Sequence, residues 1–361
     1  MTGRFLATYH VRADSGTIAA RAQAIAVEQS VEMPLEAIEA PEVLRDIVGQ
    51  VADIADLGAG VFAVRIALAT ATIGRDGAQF LNMLFGNTSL HDDVVLADVE
   101  IPPELAAVFG GPRHGIAGLR RRAAANGRAL TCSALKPQGL SADRLGELAS
   151  RFAAGGVDFI KDDHGLADQT YSPFADRVRA CAAALRGQAT RYMPSLSGNL
   201  DAMRAQITLA REEGIDTVLI APLLAGFSTM QALVAGFPDI AFLAHPSFGG
   251  ASRIAPDLLI GTLFRLLGAD AVIFPTHGGR FGYTPETCRR LAAAARLKRV
   301  DMRRALPVPA GGMTLARVPE ILDFYGPDTM LLIGGSLLMA RERLTEETAA
   351  FTSRVAAHQY R

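Results

Sequence analysis

GGVDFIKDDHGL, Gly155 to Leu166, runs a short apolar segment straight into four ionisable side chains: Lys161, Asp162, Asp163 and His164. A segment of this kind reads as a strand buried on both faces, and ionisable groups at its C-terminal end need a reason to be there. The same design recurs along the chain. RALTCSA (128–134), VDFIK (157–161), ATRYMPS (189–195), DTVLIAP (216–222), IAFLAHP (240–246), ADAVIFP (269–275), LPVPAG (306–311) and TMLLIGG (329–335) are all short and apolar. Amphipathic stretches such as SADRLGELASRFAAGG, LDAMRAQITLAREEG and TPETCRRLAAAARLK separate them. Near-uniformly apolar strands alternating with helices predict parallel strands covered on both faces. Eight such units within residues 116–361 fit a closed (β/α)8 barrel, which takes about 250 residues, better than an open doubly wound sheet.

Residues 1–115 read differently, as an α+β unit. A strand is expected near Phe5–Arg12, then a helix through AARAQAIAVEQS, a second helix through PEVLRDIVGQVADIA, a strand over Gly60–Ala69, and a helix around GAQFLNMLFG that Gly86 ends. The Pro- and Gly-rich passage from IPPEL to FGGPRHG suits a domain boundary.

Composition excludes several classes. Lys and Arg (36) nearly cancel Asp and Glu (37), so no overall charge bias points to nucleic acid or an anionic membrane surface. Cys132, Cys181 and Cys288 are too widely spaced for a zinc motif or a disulfide framework and are expected as reduced thiols. No apolar run approaches the ~18 residues of a membrane span, and the N-terminus lacks a basic-then-apolar signal region. A cytoplasmic location is the expectation.

In a (β/α)8 barrel the chemistry lies at the C-terminal strand ends. Those ends carry Lys136-Pro137-Gln138-Gly139, then Lys161 to His164, then Ser195, Ser197 and Asn199, then His245, then Thr276, His277 and Arg280, and finally Gly311-Gly312 and Gly334-Gly335-Ser336. Each residue alone reads more readily as a solvated loop residue; their convergence on one rim favours a site. The two Gly-Gly pairs let backbone N–H groups approach an anion where barrels often hold phosphate, although tight turns would use glycine as well. Strand alternation sends 161 and 163 one way and 162 the other, and a turn beyond 163 brings Lys161, Asp163 and His164 to one centre. Asp163 and His164 are candidate metal ligands. An ammonium at Lys161 has donors only, so it ligates a metal only if carbamylated. Asp162 is then expected as an ion-pair or capping partner.

Taken together, GGVDFIKDD, the upstream LKPQGLS and GPRHGI, the downstream AHP, PVPAGG and LLIGG, and the VEQS and GNTSL segments of the N-terminal part resemble the RuBisCO large-subunit superfamily. The order and spacing agree from about Phe5 to about Gly335. The resemblance implies a ferredoxin-like N-terminal domain on a (β/α)8 catalytic barrel and an enolising active site. Within it, Lys136 handles protons, Lys161 is the carbamylated lysine that binds Mg²⁺ with Asp163, His245 is an active-site histidine, and Gly312, Gly334 and Gly335 bind one substrate phosphate. It also implies that Glu28 and Asn87 close over a neighbouring subunit's site, in a homodimer or higher homo-oligomer.

Departures from the pattern place the chain in the non-fixing, RuBisCO-like branch. His164 stands where the carboxylase has a magnesium-binding Glu, Gln138 replaces the second lysine of its motif, and Pro246 and Ala310 remove second-phosphate residues. The loop PTHGGRFGY contains no Lys, leaving His277 and Arg280 as substrate contacts of another kind. One phosphate site suggests a monophosphate. The activities implied by this branch are isomerisation of 5-methylthioribulose 1-phosphate or enolisation of a diketo-methylthiopentyl phosphate, both in methionine salvage, and decarboxylation or hydrolysis of 3-oxo-isoapionate 4-phosphate. Asn87, where the methylthio enolases have a lysine, ranks the enolase lower. The rival reading is a degenerate scaffold that binds a phosphorylated metabolite as a sensor.

Overall fold

A computed structural model describes residues 3–360, which form two compact units. The first runs to Gly110 and includes Phe248–Leu259; the second comprises Gly111–Ser247 and the chain from Ile260 onward. Relative to the sequence reading, residues 111–115 cluster with the barrel and the 248–259 segment with the N-terminal unit.

In the N-terminal unit, β1 (Arg4–Arg12), β2 (Gln50–Gly58), β3 (Val61–Ala69) and β4 (Val94–Glu100) make an antiparallel sheet in the order β2-β3-β1-β4. Phe5, Ala7, Tyr9 and Val11 alternate onto one buried face of β1. There Phe5 meets Phe80 of the helix Gly77–Phe85 edge to face, and the Tyr9 hydroxyl donates to the Leu84 carbonyl at 2.6 Å. The outer edge of β4 is covered by the 253–255 strand segment, through Leu96 N–H to Arg253 O and Ala255 N–H to Leu96 O, both 2.9 Å.

The second helix expected here is a correction. Helix covers only Pro41–Asp46, and the following QVADI belongs to β2. Gly49 turns the chain: its N–H donates to Ser30 Oγ, and a Cβ there would stand 2.4 Å from the Ala26 carbonyl oxygen. The register of β2 on β3 slips between Val51 and Asp53. That irregularity puts Val51 and Ile54, three residues apart, both half-buried on an edge strand, so their spacing imitates a helix.

The second unit holds β5 (Leu130–Leu135), β6 (Phe159–Asp162), β7 (Arg191–Met193), β8 (Thr217–Ile220), β9 (Ala241–Ala244), β10 (Ala271–Pro275), β11 (Leu306–Ala310) and β12 (Met330–Leu332), each overlapping a segment expected to be a strand, with β5 and β6 running one residue past it. They pair in parallel as two ladders, β12-β5-β6-β7 and β8-β9-β10-β11. A parallel bridge between Ser195 and Leu219 joins β7 to β8. On the other side β11 packs beside β12 without a ladder. Pro307 and Pro309 have no N–H to donate there, and the contact is made instead by the Thr329 hydroxyl on the Pro307 carbonyl at 3.0 Å. Inward-facing Cys132, Phe159, Met193, Leu219, Leu243, Ile273 and Val308 fill the barrel, and Ile116 and Leu119 of the helix Gly115–Ala123 join the same cluster. Among the described residues no helix is long and apolar enough to cross a membrane.

Candidate active site

Strand alternation separates the four ionisable residues that follow Ile160. Asp162 points away from the barrel interior. It is fully buried, paired with Arg177 of the helix Phe174–Ala184 (Nε to Oδ2, 3.0 Å), and it also accepts from the Tyr192 hydroxyl at 2.6 Å and the Ser195 N–H at 3.0 Å. The expected partner role of Asp162 is thus filled by Arg177, and Lys161 uses only the Asp162 carbonyl, at 2.7 Å. Neither Arg177 nor Tyr192 stood out in the sequence.

Lys161, Asp163 and His164 do converge. Asp163 Oδ1 accepts from Lys136 Nζ at 2.6 Å and lies 3.3 Å from His164 Nδ1. Burial pushes the Asp163 carboxyl up, but the bonds from His164 and Lys136 and the charge of Lys136 outweigh it and hold the group well below the usual carboxylate range. Lys161 is buried, and loss of hydration lowers its pKa. The His164 ring stacks on His245 with centroids 4.4 Å apart and planes 7° apart, bringing β9 into the cluster. His245 is pulled down to about 2, first by burial and then by the charge of Lys161, so it is a neutral imidazole. Ser247 addresses its Nδ1 twice, through Oγ at 2.8 Å and N–H at 3.2 Å. Nδ1 therefore accepts and the ring proton sits on Nε2. Ser247, two residues past a candidate histidine, is a signal the sequence carried and the reading passed over.

Gly334 completes the cluster from β12: a Cβ there would lie 3.9 Å from Lys136 Cε. Gly335 opens a short helix, and the space where its Cβ would stand is empty. Gly312 adopts φ +93° and lies against the Gly279–Arg280 backbone, tying the loop after β11 to the loop after β10.

Other candidates sit apart. His277 Nε2 pairs with Glu320 at 3.1 Å and its ring lies against Phe324, contacts that anchor its loop to the helix Val318–Tyr325. Arg280 is exposed, its guanidinium 4.9 Å from the Phe281 ring centroid. Asn199 caps the helix Leu200–Glu212 by accepting from Ala202 N–H. Gln138 packs on Gly165, where a Cβ would collide with its amide. Glu28 and Asn87 lie in the N-terminal unit, where Asn87 Nδ2 donates to Glu28 at 2.8 Å and to Glu32 at 2.9 Å.

Among the described residues no group of three or more His, Cys, Asp or Glu side chains is placed to hold a metal ion. Asp163 and His164 offer two donors. A third ligand, an oxygen, is supplied if Lys161 carries a carbamate, and its lowered pKa favours the free amine that reacts with CO₂.

The family profile of the ribulose bisphosphate carboxylase large chain, catalytic domain, matches residues 115–340. The chain is 60% identical over 99% of its length to a 5-methylthioribulose-1-phosphate isomerase of Rhodospirillum rubrum, of which it covers 97%. It is 35% identical over 76% of its length to a 2,3-diketo-5-methylthiopentyl-1-phosphate enolase of Geobacillus kaustophilus, covering 70% of it. The crystal structure of a Rubisco-like protein from Rhodopseudomonas palustris superposes with a TM-score of 0.93 at 49% identity, with both chains covered completely.

Proposed function

Because the chain belongs to the ribulose bisphosphate carboxylase large-chain family, as a RuBisCO-like protein of the non-carboxylating branch, we propose that its barrel rim isomerises 5-methylthioribulose 1-phosphate. The observation that carries this reading is the contact of Lys136 with Asp163 beside Gly334 and the His164–His245 stack. The Lys136 side chain, a carboxylate and the neutral His245 imidazole then stand next to backbone N–H groups suited to phosphate. The 60% identical relative supports the choice of substrate.

The chemistry is a proton shift. In its deprotonated form Lys136 Nζ takes the proton from the carbon beside the ketone, the C–H electrons form the enediolate double bond, the carbonyl π electrons move onto oxygen, and the proton of the neighbouring hydroxyl passes to that oxygen. Return of a proton to the former carbonyl carbon gives the isomer with no net gain or loss of atoms. The Nε2–H of His245 is free to donate to an enediolate oxygen, and the N–H groups of Gly334 and Gly335 hold the phosphate. Mg²⁺ bound by Asp163, His164 and a carbamylated Lys161 would, when present, supply charge stabilisation for that oxygen worth several kcal/mol. Glu28 and Asn87 are assigned to closing the site of a second subunit in a homodimer.

Proton exchange tests the reading. In D₂O, followed by ¹H and ³¹P NMR, 5-methylthioribulose 1-phosphate loses its α-proton and converts. Gly335→Asp, which has room for its side chain, raises KM by placing a carboxylate beside the phosphate. No exchange with or without Mg²⁺ and bicarbonate sinks the isomerase and leaves the metabolite-binding scaffold. Carbamylation has its own readout. ¹³C-bicarbonate yields a protein carbamate resonance that is absent in Lys161→Met and grows as pH rises, because only the deprotonated amine reacts; identical spectra for the two proteins refute it.

A further inference from the structure

At the barrel end where strands begin, opposite Lys136 and Lys161, lies a cavity of about 450 Å³. Its walls come from the start of the helix Gly115–Ala123 and from the loop 298–304 that leads into β11. The loop sits tightly on the helix. Gly115 has φ +56° and a Cβ there would lie 2.5 Å from the Arg304 carbonyl oxygen, while at Gly111 it would meet Met302 at 2.4 Å. This gives the GGPRHG glycines a structural purpose outside the active site.

The loop is also held from beneath. Arg265, only 2% exposed, donates to the carbonyls of Ala294, Leu297, Met302 and Arg303 and, among the described residues, to no carboxylate. Lys298, Arg299, Arg303 and Arg304 line the cavity. Two carboxylates answer them: Asp301 on Arg299 at 2.6 Å, and Asp328 on Arg304 at 3.2 Å, which Arg120 also uses. Lys298 and Arg303 are exposed, and among the described residues no carboxylate pairs with either. His114 lines the same space, although its ring is held towards the Pro238 and Ile240 backbone, outside the cavity lining. The helix N-terminus adds nothing, since Asp270 already accepts from His114 N–H and Gly115 N–H.

We propose that this cavity is a second binding site, for a small organic phosphate monoester. An excess of cationic donors in a fixed concave wall suits a phosphate dianion, and arginine matches its oxygens two at a time. Ile116, Ala117 and Met302 supply an apolar wall for the organic part. The volume falls in the range of metabolite pockets, roughly 300–1,000 Å³.

Phenyl phosphate is the probe, measured by calorimetry on Gly335→Asp, in which phosphate binding at the rim is weakened. Saturable binding is expected, tighter than that of inorganic phosphate and weakened at least about tenfold when Lys298→Ala and Arg303→Ala are added. Both changed side chains are exposed, so the fold is retained. Phenyl phosphate should also shield Arg303 from phenylglyoxal in the unmodified sequence, read by mass spectrometry. No saturable heat up to about 10 mM, equal affinity in the two variants, or unshielded Arg303 overturns the site.

Discussion

Lys136→Met lowers kcat by about 10²–10⁴-fold, the usual worth of a positioned general acid or base, and leaves KM little changed. The methionine keeps the length and packing of the side chain and removes only the amine that meets Asp163 at 2.6 Å. Because Asp163 also retains His164, the carboxylate stays partnered and the rim keeps its shape. Steady-state kinetics with solvent deuterium exchange measures the effect. Wild-type exchange in Lys136→Met would remove this residue from the proton path and move attention to His245.

Arg177→Met destabilises the protein by about 3–5 kcal/mol, the cost of leaving the buried Asp162 carboxylate without its counter-ion. Asp162 and Arg177 are both fully buried, so solvent does not screen the loss. The Tyr192 hydroxyl and the Ser195 N–H remain, but neither carries a positive charge. The double replacement Asp162→Leu with Arg177→Met recovers most of the stability, since removing both partners removes the unpaired charge. Urea midpoints of the three proteins decide it, and a single variant within about 1 kcal/mol of wild type refutes the structural role. The pair lies directly behind Lys161 and Asp163, so Arg177→Met should reduce activity through misplacement of β6 as well.

Much of this protein is legible along the chain. The eight barrel strands and the strand-end position of Lys136, Lys161, Asp163, His164, His245 and Gly334 follow from short-range pattern, whereas the nearness of Gly334 to Lys136 came with the structure. A doubly covered strand is apolar throughout, and a barrel collects its chemistry where those strands end. The N-terminal unit shows the limit of that logic. Apolar residues three apart at 48, 51 and 54 carry a helical period, and only pairing with β3, with its slipped register, makes the last two an edge strand.

Site partners are the other limit. Arg177 reaches Asp162 from 15 residues away, and Glu320 claims His277 from 43. Alternation tells which side of a strand a residue leaves from, a local property of the backbone. Which group waits there depends on how helices and loops pack over it. Residue types, strand ends and the expected ion-pair role of Asp162 therefore come from the sequence alone, whereas the partners, Arg177 and Tyr192 on Asp162, Lys136 on Asp163 and Glu320 on His277, came only with the tertiary structure.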